Sequence, residues 1–400
     1  MRITINSSVM IIGQHLTSRT EAVRDFLSGK VNALAVIALG SAFIDKKENH
    51  FFYYQRNILK EHAIYRHPLL KKIRSLKIII PVAFLLYSVD IFRTLMKLKK
   101  KMDLFVGISH FSGLIGVFLK RTGICKKTIY YAIDFYAASE GVPFFNRFMA
   151  RIANFADRLA VIHSDEVWDI SPRISEARSV FYGLKKNEYG LRHKVVPLGY
   201  SGDFFRHKGM DEVAPNSIVF VGVIVEGQGL ELMTDALPLI KRVISGLKIN
   251  IIGSGPFLPA CKRIIKEKGL EDFFSFYGFI EDTDKMLDIV SSSSVGIALW
   301  DDRKNKLLNS YFGDPGKTKL YSACGIPVIV SNHTVYSEVI TRKKSGVGIN
   351  YDAAELANAL KEILNVENYA AFKRNAIMVG EEYCKAEDIF SQAVEYGEID

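Results

Sequence analysis

Cysteine is scarce in this chain: four in 400 residues, at Cys125, Cys261, Cys324 and Cys384. None belongs to a CxxC pair or stands among histidines at metal-ligand spacing. That excludes a disulfide scaffold and a zinc ribbon, and it predicts reduced, mostly buried thiols. Long apolar runs are lacking too. The longest, residues 78–89, is interrupted by Pro81 and ends at Asp90, well short of the roughly 20 residues a spanning helix needs. Residues 1–8 are polar, with no basic stretch leading into an apolar one, so neither a secretory signal nor a membrane span is expected and a cytoplasmic location is. No internal repeat and no low-complexity segment is visible.

What is present is unevenly spread. Residues 1–200 hold 31 Lys and Arg against 15 Asp and Glu, whereas residues 201–400 hold 22 against 28. The halves are thus +16 and −6 within a net charge of +10, which suggests two domains with different partners. Two basic clusters dominate the first half: Arg66, Lys71, Lys72, Arg74 and Lys77, then Lys97, Lys99, Lys100 and Lys101. They flank an apolar segment, 78–96, that carries Phe84, Tyr87 and Phe92. Two readings stand: a core helix with solvated ends, or a helix lying on an anionic membrane surface. Nucleic acid is not an expected partner, because no stacking platform or groove-reading motif accompanies the charge.

The second half alternates strand and helix. Strands are predicted at 217–221, 247–252, 273–277, 295–299 and 327–330, with helices at 229–245, 256–269, 282–291, 317–324 and 353–364 between and after them. The strands are continuous apolar runs rather than alternating ones, as in a parallel sheet covered on both faces. The first half repeats the theme more loosely, with strands at 9–12, 33–39, 104–108, 128–133 and 158–162 and helices at 18–27, 113–121 and 145–155. The fold class is therefore α/β, two doubly wound parallel-sheet domains joined near Val196-Pro197-Leu198-Gly199-Tyr200 and facing across a cleft. Ligands of such sheets sit beyond the carboxyl ends of the strands.

Ser310–Val330 is the most informative stretch. A loop with Gly313, Pro315 and Gly316 opens onto a short helix starting near Lys317. The N–H groups of Gly316 to Thr318 would stand unpaired at the positive end of the helix dipole, a setting that suits a phosphate. Lys317 in that first turn is unfavourable to the helix unless an anion is near, though an exposed lysine bridging to solvent is the plainer alternative.

Several short motifs then follow one another in order. Phe220-Val221-Gly222 precedes Glu226-Gly227-Gln228-Gly229-Leu230; Ile251-Ile252-Gly253-Ser254-Gly255-Pro256, Phe276-Tyr277-Gly278-Phe279-Ile280 and Ala323-Cys324-Gly325-Ile326-Pro327 come after. Together they resemble the donor-binding domain of GT-B glycosyltransferases, of the retaining family-4 type. The resemblance implies a glycine-rich turn at Gly222 and Gln228 near the donor diphosphate, a strand-end glycine at Gly253, and base reading by the backbone around Gly278 and Phe279. It departs from the family at four places. Val223 and Gln228 stand where an Arg and a Lys usually clamp the diphosphate, and Phe312 and Leu320 where two glutamates usually stand. The loop instead resembles variants reading Gly-Asp-Pro-x-Lys, which implies a sugar contact for Asp314 and a leaving-group clamp for Lys317. Asp before Pro is also a common turn residue.

The resemblance extends more weakly to the first half. It implies that Gly13 lies near the donor phosphates and that Asp134 stands close to where members carry a catalytic-site histidine. Asp134 would orient an acceptor or sugar hydroxyl, or else cap a helix. His110 and Glu140 are acceptor-side candidates, His110 with the alternative of a cap or core histidine. Residues 1–200 are then an acceptor-binding and 201–379 a nucleotide-sugar-binding Rossmann-like domain, with a terminal helix near 380–400 packing back on the first.

A retaining glycosyltransferase is the leading expectation. It would use a nucleotide-diphosphate sugar as co-substrate, with no cofactor and no metal, and act on a saccharide or lipid-linked saccharide in surface polysaccharide or glycoconjugate biosynthesis. Asp301-Asp302 imitates a metal-binding acidic pair without its spacing. A non-catalytic GT-B scaffold binding a glycan or partner enzyme, or a GT-B epimerase or phosphorylase, are the alternatives.

Overall fold

The computed structural model describes residues 2–14, 18–39, 49–65, 91, 101–136, 144–303 and 309–396. Glu140 lies outside the described residues, as do both basic clusters apart from Lys101 and the apolar segment between them apart from Ile91. The chain divides into two compact units: Met1–Pro197 with Ala386–Asp400, and Leu198–Lys385. The boundaries fall at 197 and 385 rather than at 200 and 379.

In the first unit the order along the chain is β1 (Arg2–Ile3), β2 (Ser8–Gln14), α1 (Ser18–Leu27), β3 (Ala33–Leu39), β4 (Asn49–Gln55), β5 (Ile58–Tyr65) and β6 (Met102–Ile108). There follow α2 (His110–Arg121), β7 (Cys125–Ala132), α3 (Phe144–His163), β8 (Glu166–Asp169), α4 (Arg173–Tyr182) and β9 (His193–Val195). Eight strands form one sheet in the order β5-β4-β3-β2-β6-β7-β8-β9. The strands from β3 through β9 pair in parallel, as expected, and aliphatic runs such as Val9–Ile12 are fully buried within it.

Two features correct the sequence reading. β4 and β5 add antiparallel to the parallel sheet, and Arg56 and Asn57 turn between them with positive φ. Two left-handed residues in sequence make a turn whose twist suits a hairpin. Second, no strand forms at 158–162: α3 runs unbroken for 20 residues to His163. The β-branched pair Val161-Ile162 suggested a strand, yet burial continues at helical spacing through Ala153, Asp157 and Ala160.

The second unit contains β10 (Ser217–Val221), α5 (Leu230–Ile240), β11 (Lys248–Ile252), α6 (Leu258–Glu267), β12 (Phe274–Gly278), α7 (Thr283–Ser291), β13 (Val295–Ala298), α8 (Asn309–Phe312) and α9 (Gly316–Ala323). β14 (Val328–Ser331), α10 (Ser337–Arg342), β15 (Gly346–Ile349), α11 (Ala353–Ile363) and α12 (Val366–Tyr383) complete it. All six strands are parallel, in the order β12-β11-β10-β13-β14-β15. Its core joins Ile218, Phe220 and Ile249 of the sheet to Leu237 and Ile240 of α5 and to Leu356 and Leu360 of α11.

After α12 the chain returns to the first unit as α13 (Ala386–Ala393) and β16 (Glu395–Tyr396). β16 pairs in parallel with β1, Phe390 packs 5.3 Å from Phe26, and Lys30 meets Glu387 at 2.7 Å. The expected single helix over 380–400 is instead the end of α12, a break at Cys384-Lys385, and the short α13. Among the described residues, no helix is long and apolar enough to cross a membrane.

Candidate functional site

The six strands of the second unit follow the order 3-2-1-4-5-6, so the connections reverse between β10 and β13. A doubly wound sheet opens a crevice at the carboxyl ends of the two strands beside such a reversal. Here those ends are Phe220-Val221-Gly222 and Ala298-Leu299-Trp300. Lys317, in the first turn of α9, is brought to this place. Its Nζ lies 4.1 Å from the centre of the Phe220 ring and 5.3 Å from that of Trp300. It donates to Oε1 of Gln228 at 2.6 Å. Gln228 and Lys317, both expected at a donor site, therefore meet.

Burial pushes the Lys317 ammonium down to about 7. Aromatic faces and an amide oxygen attract a cation but return only part of its lost hydration. Among the described residues Lys317 forms no ion pair.

Glycines shape the backbone around it. Gly222 has φ +143°, and a Cβ there would stand 2.8 Å from Cε of Lys317. Gly253, at φ +136°, follows β11, and a Cβ on it would fall on the Gly222 carbonyl oxygen. Main chain thus packs on main chain at the ends of β10 and β11, and no side chain can enter. Gly253 N–H donates to the Gly278 carbonyl at 2.7 Å, which ties in the end of β12. Phe279 beyond it is 66% exposed and Val223 is also exposed. The glycine-rich turn is braced from behind: Gly229 N–H donates to the Tyr351 hydroxyl at 3.1 Å, Gly227 N–H to the Glu231 carboxylate, and Asp301 N–H to the Gly227 carbonyl at 2.8 Å.

The rest of the Gly-Asp-Pro-Gly-Lys loop is anchored. Asp314 is buried, and its Oδ2 accepts from Leu198 N–H at 2.9 Å and pairs with Lys319 at 3.1 Å. Lys319 donates to the carbonyls of Leu198 at 3.0 Å and Tyr383 at 3.3 Å. Asp314 thus anchors the loop through Oδ2, a role the sequence reading did not foresee beside the expected sugar contact. Gly313 is buried and Gly316 partly so, and Tyr200 donates its hydroxyl to the Gly316 carbonyl at 3.1 Å. Thr318 is fully buried, and its Oγ1 has no hydrogen-bond partner among the described residues.

In the first unit the order also reverses, between β2 and β6. Gly13 stands near the end of β2, where a Cβ would collide with the Thr20 side chain of α1 and sit 3.3 Å from Ile108. Close helix–strand packing accounts for that glycine. Ser109, with φ +91°, turns β6 into α2, and His110 opens the helix. Burial pushes His110 down to about 4 against the opposing pull of Asp157, and its ring packs 4.4 Å from Phe111 and 5.6 Å from Tyr136. Asp134 follows β7, partly buried.

Sequence reasoning missed the other titratable cluster of this unit. Arg178 of α4, fully buried, meets Asp157 of α3 at 2.8 Å and Asp169 of β8 at 2.7 Å. Tyr130 donates to Asp157 at 2.5 Å, Tyr182 donates to the same carboxylate, and His193 contacts Asp169 at 2.7 Å. Burial opposes the charge of Asp157, but the Arg178 guanidinium and these hydrogen bonds outweigh it and hold the carboxyl below its usual range. Among the described residues, no group of three or more His, Cys, Asp or Glu is placed to hold a metal ion.

Comparison with known proteins agrees with this architecture. Residues 215–366 match the family model described as Glycosyl transferases group 1. A GDP-mannose-dependent alpha-(1-6)-phosphatidylinositol monomannoside mannosyltransferase of Mycobacterium tuberculosis is 23% identical over 163 residues, 37% of this chain and 38% of that protein. The alignment thus spans under two-fifths of the length of the curated relatives it matches. Among solved structures, Anabaena HepE in complex with UDP and glucose is similar with a TM-score of 0.68 at 14% identity, covering 97% of this chain and 98% of that one. Sucrose-phosphate synthase from Thermosynechococcus elongatus gives a TM-score of 0.71 at 17% identity, with 97% of each chain covered. The chain has the GT-B fold, and the match to the glycosyl transferases group 1 model falls within its second unit.

Proposed function

We propose that the protein transfers a glycosyl group from a nucleotide-diphosphate sugar to a saccharide or lipid-linked saccharide, with retention of configuration and without a bound metal. One observation carries the reading: a half-buried ammonium, Lys317, stands at the strand-order reversal on the first turn of a helix, with only an amide and two rings for company among the described residues. Such a place suits an anion. The group 1 domain match over residues 215–366 and the UDP and glucose of the structurally similar HepE complex make a nucleoside diphosphate the anion of choice.

In this reading the first-turn N–H groups of Gly316 to Thr318 and the Lys317 ammonium face the diphosphate. When the glycosidic bond breaks, the leaving diphosphate gains about one negative charge, and fixed donors of this kind stabilise that charge without reorganising. The bare backbone at Gly222 and Gly253 lets the phosphates approach main chain directly. In the front-face substitution proposed here, the incoming hydroxyl arrives on the side the diphosphate leaves, and a diphosphate oxygen takes its proton. Asp134 remains a candidate to orient a hydroxyl.

The test is a thermal-shift panel of UDP, GDP, dTDP and ADP, followed by turnover with sugars of whichever base raises the melting point. Lys317→Ala is expected to lower turnover roughly 10²-fold. No response to any nucleotide, or a variant of unaltered rate, would remove the proposal.

A further inference from the structure

Helix α3 has its polarity inverted. A surface helix ordinarily turns its apolar face inward and its polar face to water. Here the inward positions include Ala150, Ala153, Asp157 and Ala160, all buried, and the exposed ones include Phe144, Phe148, Arg151, Phe155, Arg158 and Ile162, with Phe145 and His163 beside the two ends. The six from Phe144 to Ile162 follow spacings of four and three, so they make one stripe along the helix. Phe144 is 81%, Phe148 50% and Phe155 64% exposed. The small inward side chains are explained by packing against α2, where a Cβ on Gly113 would stand 3.0 Å from Ala160. Packing does not explain three phenylalanines in water.

We infer that this stripe is a docking surface for an anionic lipid bilayer. Two requirements on the partner follow from the residues. It must accept aromatic side chains into an apolar layer, and it must bring negative charge to Arg151 and Arg158. The stripe contains no carboxylate, and the one acid of α3, Asp157, is consumed inside by Arg178. A second copy of the chain meets the first requirement and fails the second, because a two-fold interface built from this stripe on both copies offers the arginines no carboxylate. An anionic bilayer meets both: rings enter the acyl boundary while guanidinium groups stay with the phosphates. A cavity of about 330 Å³ between α3 and α4 suits a headgroup, being lined by Arg151, Phe155 and Arg158 with Phe181 and Tyr182 of the neighbouring helix. The net charge of +16 over residues 1–200 adds long-range attraction of the same sign.

This inference goes beyond the transfer reaction, since vesicle binding requires neither donor nor acceptor. The full chain is sedimented with vesicles of phosphatidylcholine alone and of phosphatidylcholine containing phosphatidylglycerol. It is expected to bind the anionic vesicles and not the neutral ones, and to be released by salt. Phe148→Ser with Phe155→Ser should weaken partitioning at least tenfold, by withdrawing apolar area from the bilayer. Arg151→Gln with Arg158→Gln should abolish the preference for anionic lipid. An unchanged melting point and an unchanged nucleotide response would show that each variant folds and keeps its donor site. Equal binding of neutral and anionic vesicles would overturn the inference, as would variants that partition like the parent. So would a dimer in solution that the phenylalanine variant dissociates while vesicles bind nothing.

Discussion

Arg178 in the first unit and Lys317 in the second are both cations removed from water, and their surroundings differ in kind. Arg178 has two carboxylates, Asp157 and Asp169, and a hydrogen bond to the Tyr189 hydroxyl at 3.2 Å. Lys317 has an amide oxygen and two ring faces. A cation supplied with its own counter-ions has no further business with a ligand; it fastens α3, α4 and β8 together. A cation left without one costs free energy in the empty protein, and that cost is recovered only when an anion arrives. The contrast is the one expected between a structural charge and, in the function proposed above, a ligand-binding one.

The largest effect tests that separation directly. Arg178→Met leaves Asp157 and Asp169 buried without a counter-ion, and breaking such a pair from one side costs about 3–5 kcal/mol. Lys317→Met should leave the ligand-free protein as stable as before or slightly more so, because it removes a buried charge and keeps the stem. Urea unfolding of the two variants without nucleotide reads the difference. Comparable losses in both would mean that Lys317, too, is structural.

A smaller effect comes from protonation. With its titration near 7 in the free protein, Lys317 is half neutral at neutral pH, and a bound diphosphate pulls it back towards its ordinary range. Nucleotide affinity should therefore be flat below pH 7. It should fall by roughly tenfold per pH unit above, until the titration of the complex is reached. Calorimetry in buffers of different ionisation enthalpy should show a proton taken up on binding near pH 7.5, and none in Lys317→Met. An affinity independent of pH across this range would break the link between the buried ammonium and the ligand.

How much of this was readable beforehand varies between the units for physical reasons. In the second, the strands are short and mostly apolar, and β10, β11 and β12 each run into a glycine, so the alternation of strand and helix and the glycines at 222, 253 and 278 could be placed from local pattern alone. The first unit hides more. The hairpin of β4 and β5 has no Gly or Pro at its turn, since Arg56 and Asn57 take the left-handed conformation themselves. In α3, Val161 and Ile162 imitate a strand because their burial is decided by neighbours. The long α12 escaped because its apolar positions are diluted by charge. At the site, Lys317 and Gln228 were each visible, but Phe220 and Trp300 beneath the ammonium were not, being ordinary apolar residues until strand order sets β10 beside β13. The anchoring of Asp314 was hidden for a similar reason: Lys319, its partner, is five residues on, and only the path around Pro315 turns the two together.

The smallest effect concerns His110, which shares with Lys317 a place at a strand-order reversal. Burial holds its imidazole near 4, so it stays neutral throughout the range in which histidines usually exchange protons. A neutral ring can accept or donate a hydrogen bond to an acceptor hydroxyl, yet it cannot supply the titration of a general base poised near neutrality. His110→Asn should accordingly alter KM for the acceptor at most and leave the shape of the pH–rate profile between pH 5 and 8 as it was. A profile that loses its acidic limb in this variant would place a working proton on His110. The comparison would then run the other way, with the first unit holding the titrating group and the second only a fixed charge.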